Sequence, residues 1–270
     1  MTSESTAVPA TGPTGTDAVL LDRRGHVAVL TINRPEARNA LSTEVLNGLV
    51  AGLDWAEEEP DVRAVVLTGG PRLFASGADV RELRHNTPAR YLVSPRQKAF
   101  QRIAEFKKPL VAAVAGYVLG GGCEIAMSCD FIVAGDSATL GQPEIKLGIL
   151  PGAGGTQRWA RVAGRFKAAE LVLGARNIDA WEAHRIGMVN QVVPTECVVE
   201  AGVALAEQVS SFSPIAARLA KTAVRSSEEV GVTAGLDYER GLLAVLLSTD
   251  DHFEGIDAFL EKRTATFTGN

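Results

Sequence analysis

Leu110–Gly135 reads LVAAVAGYVLGGGCEIAMSCDFIVAG, and the fold class turns on it. The run LVAAVAG from Leu110 to Gly116 shows no polar alternation, the pattern of a strand buried on both faces within a helix-covered parallel sheet. FIVAG from Phe131 repeats it. Between them Gly120, Gly121 and Gly122 interrupt the chain before a short helix over Glu124 to Met127. Two buried strands therefore bracket a glycine-rich crossing that carries a carboxylate.

Toward the N-terminus, VLLD from Val19 and HVAVLTIN from His26 flank Arg23, Arg24 and Gly25, which predicts a hairpin. Ser42 can cap a helix carrying Val45, Leu46, Leu49, Val50 and Leu53 on one side, stopped by Pro60. Val62 to Thr68 then reads as a strand, completing a β-α-β unit. One helix is expected from about Ala89 to Phe106. Beyond Pro151 a strand is expected over Met188 to Val193, and helices over Gln157 to Val162, Phe166 to Leu173, Ala180 to Ile186, Thr195 to Val209, Pro214 to Arg225 and Gly231 to Leu247. Asp179 with Glu182 forms a capping box, and Ser213 with Pro214 marks another helix start. The expected organisation is a disordered leader over residues 1–17, rich in Ser, Thr, Pro and Gly, an α/β core over 18–195 and a helical region over 196–270. The last carries Leu236, Leu242, Leu243, Val245, Leu246 and Leu247, more apolar surface than a terminal helical layer need hide, which favours a subunit interface. Trp55, Trp159 and Trp181 are expected to serve packing.

The 270 residues hold 27 Lys plus Arg against 32 Asp plus Glu, a formal charge of -5. That balance leaves no surplus of positive charge for a nucleic-acid backbone. Cys123, Cys129 and Cys197 form no CxxC pair and no dense disulfide framework, which fits a reducing cytoplasmic setting. No apolar stretch approaches the length of a membrane-spanning helix, and the first residues lack the basic and apolar regions of a signal peptide.

Several catalytic motifs fail. GAGGTQ from Gly152 has Gln157 where a dinucleotide fingerprint needs glycine, and there is no Walker, HExxH or GxSxG sequence. What remains is Glu124, set among Leu119, Cys123, Ile125, Ala126 and Met127. Burial raises a carboxylate's pKa unless something solvates it, so Glu124 is either half of a structural ion pair or a chemical group. Glu144 follows twenty residues on in LGQPEIKLGILPGAGG. The two can meet only if the crossing after Ala115 and the loop after Leu140 converge at one sheet edge, where α/β folds place ligands. Two carboxylates facing each other across a water are a general acid/base device. The glycines are either tight turns at strand ends or sites where bare backbone N–H groups, at Gly121 and at Ala78 in FASGAD, aim at one developing oxyanion.

In order and spacing, NRPEARNAL from Asn33, FASGADVREL from Phe74, AAVAGYVLGGGCEIAMSCD from Ala112, LGQPEIKLGILPGAGGTQR from Leu140, ARNIDAWEAHRIGMVNQVV from Ala175 and FLEKRTATFTG from Phe259 resemble the crotonase superfamily and, within it, the enoyl-CoA hydratases. The resemblance covers nearly everything from Val19 to Gly269. It implies an α/β spiral of repeated β-β-α units with a C-terminal helical trimerisation region, coenzyme A thioester substrates, an oxyanion hole at Ala78 and Gly121, and a homotrimer or dimer of trimers. It further implies that Glu124 and Glu144 hold the water added across the 2,3 double bond, and that no cofactor is needed because coenzyme A belongs to the substrate. Arg38, Ala78, Asp79, Val80, Arg81, Gly121 and Lys262 are the expected substrate and coenzyme A contacts. Ala265 stands where the family's terminal segment usually has proline. A coenzyme A-dependent isomerase, needing one glutamate, and a non-catalytic acyl-CoA binder are the alternatives. The segment His85 to Gln97 is the expected seat of acyl specificity.

Overall fold

Nine strands alternate with eleven helices among the described residues of the computed structural model, which are 12–84 and 87–270. The strands are β1 (Val19–Arg24), β2 (Val27–Ile32), β3 (Ala64–Thr68), β4 (Leu110–Val114), β5 (Tyr117–Leu119), β6 (Phe131–Gly135), β7 (Thr139–Gly141), β8 (Asn177–Asp179) and β9 (Gln191–Val193). The helices are α1 (Thr43–Glu58), α2 (Val80–Leu83), α3 (Pro88–Leu92), α4 (Pro95–Ala104), α5 (Gly121–Ala126), α6 (Gly155–Val172), α7 (Ala180–Arg185), α8 (Val198–Ser210), α9 (Pro214–Ser226), α10 (Val232–Leu246) and α11 (Asp250–Glu261). Residues 1–11 of the expected leader and His85 lie outside the described residues. Residues 12–17 form a turn with Thr14 buried and Thr16 bonded to Glu44 of α1, so ordered packing starts ahead of Val19.

The β1–β2 hairpin is antiparallel, and β2, β3, β4, β6 and β9 continue it as parallel neighbours in one six-stranded sheet. A second sheet has the order β5-β7-β8. The connection between the sheets repeats. β4 passes through Gly116 into β5 and then α5, and β6 passes into β7 and then a 3-10 helix over Glu144–Leu147. One turn earlier, β3 leads to Ala75, bridged in parallel to Val118 of β5, and then to α2; β2 leads to Leu41, bridged to Ala78, and then to α1. Each turn stacks in parallel on the last. This is the expected β-β-α spiral.

The two apolar cores follow from the side-chain period of two. Leu110, Ala112 and Val114 of β4 enter one core with α1, α4 and α6, while Val111 and Ala113 enter the other with Val198, Val203 and Ala206 of α8. Because α8 seals the second core, the packed body continues past residue 195, and the outlying helices begin at α9. Asp130 ties α9 to the body through Lys221 at 2.7 Å and Arg225 at 3.3 Å.

Local chemistry sets the helix starts. Ser42 accepts from Val45 N, Asp179 from Glu182 N and Ser213 from Ala216 N, each at a predicted cap. The single helix expected over 89–106 is two helices. Pro95 has no N–H to carry α3 onward, and Ser94 caps α4 instead. The two helices expected over 157–173 are both present within the span of α6, separated at Gly164, whose backbone (φ 77°, ψ 159°) is not helical. Trp159 is fully buried and Trp55 packs against the same core, whereas Trp181 is exposed on α7. No helix among the described residues is long and apolar enough to cross a membrane.

Candidate active site

The spiral brings two distant backbone segments side by side. Ala75 N donates to Tyr117 O at 3.0 Å and Leu119 N to Ala75 O at 3.1 Å. Carrying that parallel register forward from Ala75 opposite Val118 sets Ala78 beside Gly121. Gly77 (φ 112°) and Gly120 (φ 51°) turn the chain immediately before these residues, in a region that L side chains rarely adopt. The space is closed as well: a Cβ on Gly120 would lie 2.8 Å from Glu144 Oε1, and one on Gly77 would lie 3.3 Å from Leu119 O. Past the turns, neither Ala78 N–H nor Gly121 N–H has an acceptor among the described residues. Gly121 opens α5, so its N–H has no intrahelical partner. Both residues line one cavity of about 530 Å³.

Glu124 and Glu144 line the same cavity. Glu124 lies on α5, only 3% exposed, and its Oε1 accepts from Ala153 N at 2.7 Å and Gly155 N at 2.8 Å. Those donors come from the glycine-rich entry to α6. Burial pushes its carboxyl upward, opposed by the two backbone N–H groups and by the Arg158 and Arg96 guanidiniums. Arg158 is itself fixed by donating to Ala153 O at 2.8 Å.

Glu144 begins the 3-10 helix after Pro143 and is half-buried. Burial, joined by the negative charge of Glu124, pushes its carboxyl up to about 7. The Gln142 side-chain amide lies against it, and with its oxygen and nitrogen assigned by hydrogen bonding the nitrogen donates to both carboxylate oxygens at 3.0 Å. One carboxylate thus faces strong donors and cations, while the other is disposed to hold a proton near neutrality. Burial raises both carboxyls, and guanidiniums oppose that rise only at Glu124.

The structure gathers Ala78, Gly121, Glu124 and Glu144 around the cavity and leaves the other expected contacts outside its lining. Arg38 is exposed in a left-handed conformation, its carbonyl accepting from Ser76 N. Asp79 caps α2 by accepting from Arg81 N at 3.2 Å and pairs with Arg34 at 3.5 Å. Val80 and Arg81 are exposed beside Ala78. Lys262 ends α11, exposed and left-handed, with no ion pair to any of these residues.

Tyr91, Arg96 and Gln97, which lie in the segment expected to seat acyl specificity, also line the cavity, as does Ala153; sequence reading singled out none of the four individually. Arg96 lay concealed inside one expected helix, although Ser94-Pro95 was the local signal that would have set it at a helix start facing the site. The backbone donors at Ala153 and Gly155 carry no side-chain signature beyond a glycine cluster before a helix.

Residues 22–270 match the family described as enoyl-CoA hydratase/isomerase. Among similar proteins, the 2,3-dehydroadipyl-CoA hydratase of Escherichia coli is 45% identical over 251 residues, 93% of this chain and 98% of that protein. A probable enoyl-CoA hydratase (echA8) of Mycobacterium tuberculosis is 43% identical over 252 residues, again 93% and 98%. Among solved structures, an enoyl-CoA hydratase subunit I from Geobacillus kaustophilus superposes with a TM-score of 0.90 at 38% identity, covering 94% of this chain and 98% of that one. The enoyl-CoA hydratase of Bacillus anthracis gives 0.89 at 38% identity, covering 94% and 100%.

Proposed function

The chain belongs to the enoyl-CoA hydratase/isomerase family, and from that membership we propose that it adds water across the 2,3 double bond of a trans-2-enoyl-CoA to give the 3-hydroxyacyl-CoA. One observation carries this reading. Two carboxylates in unlike surroundings and two backbone N–H groups without acceptors among the described residues line a single cavity.

The chemistry follows from that placement. Ala78 N–H and Gly121 N–H hold the thioester oxygen, and charge drawn from the double bond onto that oxygen makes C3 electrophilic and C2 basic. A donor of this kind is worth about 3–4 kcal/mol to the transition state. Glu124, whose basicity burial raises while its cationic neighbours hold it in place as a carboxylate, takes one from the water as its oxygen bonds to C3. Glu144 delivers its own proton to C2. One proton is removed and one supplied, so the pair ends the turnover with its proton exchanged between carboxylates and must reset before the next.

The overall change is addition of water with no external electron donor or acceptor, so the reaction calls for no cofactor beyond the coenzyme A that the substrate carries. Arg38, Val80 and Arg81, which are exposed, and the half-buried Asp79 would meet the coenzyme A portion, with Arg81 suited to a phosphate. Lys262 would reach it from the C-terminal end of its own or a neighbouring subunit. Trimers, singly or stacked in pairs, would cover the apolar side chains that α10 and α11 leave exposed, among them Leu243, Val245, Phe253 and Phe259.

The test is to mix the protein with crotonyl-CoA and follow the absorbance of the conjugated thioester while identifying the product by mass. Loss of absorbance with formation of 3-hydroxybutyryl-CoA is expected. Unchanged crotonyl-CoA, alongside turnover of a 3-enoyl-CoA to its 2-enoyl isomer, would replace hydration with isomerisation.

A further inference from the structure

Arg96 is a cation without an ion-pair partner among the described residues, in the wall of the cavity that holds Glu124 and Glu144 and beside its apolar lining of Leu83, Phe100, Ile149 and Leu150. Its Nη1 donates to Leu41 O at 2.9 Å and the guanidinium lies over the Phe100 ring at 5.2 Å, so its plane is fixed from two sides. Nη2 comes within 3.3 Å of where a Cβ on Gly121 would stand, close to the expected seat of the thioester carbonyl. Its Nε and Nη2 have no protein acceptor among the described residues. Glu124, Glu82 and Asp79 are the carboxylates whose charge it senses, and none of them lies within the 4.0 Å of an ion pair.

The position is also unfavourable for the helix that bears it. Arg96 is the second residue of α4, placing positive charge at the end where the helix dipole is already positive. Among apolar groups, a partly desolvated guanidinium disfavours a hydrocarbon chain laid against it, because the chain strips water and returns no hydrogen bond. A residue that opposes both its helix and its cavity is where function is expected to compensate. The missing component is a planar anion able to accept from Nε and Nη2 together, which is the geometry of a carboxylate on arginine. Tyr91 and Gln97 approach the same wall: Tyr91 Oη donates to Gly152 O at 3.4 Å, and a Cβ on Gly152 would lie 3.9 Å from Gln97 Nε2, leaving the Gln97 amide hydrogens nearby for the anion's outer lone pairs.

We propose that Arg96 is the carboxylate-recognition subsite of this cavity, and that the preferred acyl group is a short enoyl chain ending in a carboxylate. This rests on the hydratase reading and adds the substrate class to it.

The test compares 2,3-dehydroadipyl-CoA with trans-2-hexenoyl-CoA, which carries a methyl where the former carries its terminal carboxylate, on the wild-type protein and on Arg96→Met and Arg96→Lys. A site built for a charged group rejects the analogue lacking it, so the wild-type kcat/KM is expected to favour the diacid by roughly tenfold or more. Arg96→Met should lower kcat on both thioesters by a common factor, because Arg96 also biases Glu124, and should in addition raise KM for the diacid alone, so that the diacid-to-hexenoyl ratio of kcat/KM falls to about one; a melting curve shows that the variant folds. Arg96→Lys should recover part of the diacid rate. Equal or better wild-type turnover of hexenoyl-CoA overturns the proposal, as does an equal loss on both thioesters in Arg96→Met, which would assign Arg96 to Glu124 instead. Hydration of neither thioester would refute the hydratase reading itself, an outcome distinct from hydration without preference.

Discussion

Glu124 and Glu144 face one cavity from two different kinds of ground. Glu124 stands on a helix wedged into the core, with two backbone donors and two guanidiniums addressing its carboxylate. Glu144 stands on a 3-10 turn whose neighbours Ile145, Lys146 and Leu147 are exposed, with the Gln142 amide beside it. The difference teaches how one fold gives two carboxyls of the same residue type unlike surroundings. Burial raises both carboxyls; at the first, surrounding donors and cations oppose that rise, whereas at the second the neighbouring negative charge adds to it.

If that contrast underlies catalysis, removing either carboxyl breaks it. Glu124→Gln and Glu144→Gln should each lower kcat on crotonyl-CoA by roughly a hundred- to ten-thousand-fold, the usual scale of a positioned acid or base. KM should change little. The double variant should lose less than the product of the two losses, because the carboxylates act as a unit. Steady-state kinetics on the three proteins would decide it; a single variant with wild-type kcat would leave no paired device.

A smaller change sharpens the comparison by moving Glu144 without removing it. Gly120→Ala introduces a Cβ that meets Glu144 Oε1 at 2.8 Å, on a backbone at φ 51°. Displacing a reacting group by about an ångström costs up to about a hundredfold, so kcat should fall by tens of fold, with a melting curve confirming that the fold persists. An unchanged kcat would show that the seat of Glu144 is looser than these contacts imply.

The sequence revealed the parts of this arrangement that local chemistry sets. The cap at Ser42, the doubly buried run of β4 and the carboxylate at Glu124 each advertise themselves within a few residues. The pairing of Ala78 with Gly121 does not, since it depends on two segments stacking in parallel on successive turns of the spiral; the glycines alone left it open beside tight turns, and family resemblance chose between the two. The second sheet escaped notice because β5, β7 and β8 are three residues each, too short for any period to register. α11 passed unseen although Thr249 caps it, its apolar residues Phe253, Ile256, Phe259 and Leu260 lying exposed in the single chain. Arg96 was missed for a different reason. Its helical pattern continues through Ser94-Pro95 on paper, and only the break there turns the guanidinium into the wall of the cavity.

The most direct test of the carboxylate pair is the pH dependence of kcat/KM for crotonyl-CoA in the wild type and in the residual activity of Glu124→Gln. Glu144 must hold a proton to deliver it, and its carboxyl sits at about 7, so the wild-type value should fall as pH rises through that point. The charge on Glu124 helps hold Glu144 that high, and the neutral amide of Glu124→Gln removes it, so the falling limb should move to lower pH in the variant. A limb that stays in place, or moves to higher pH, would contradict the account of two coupled carboxylates sharing one water.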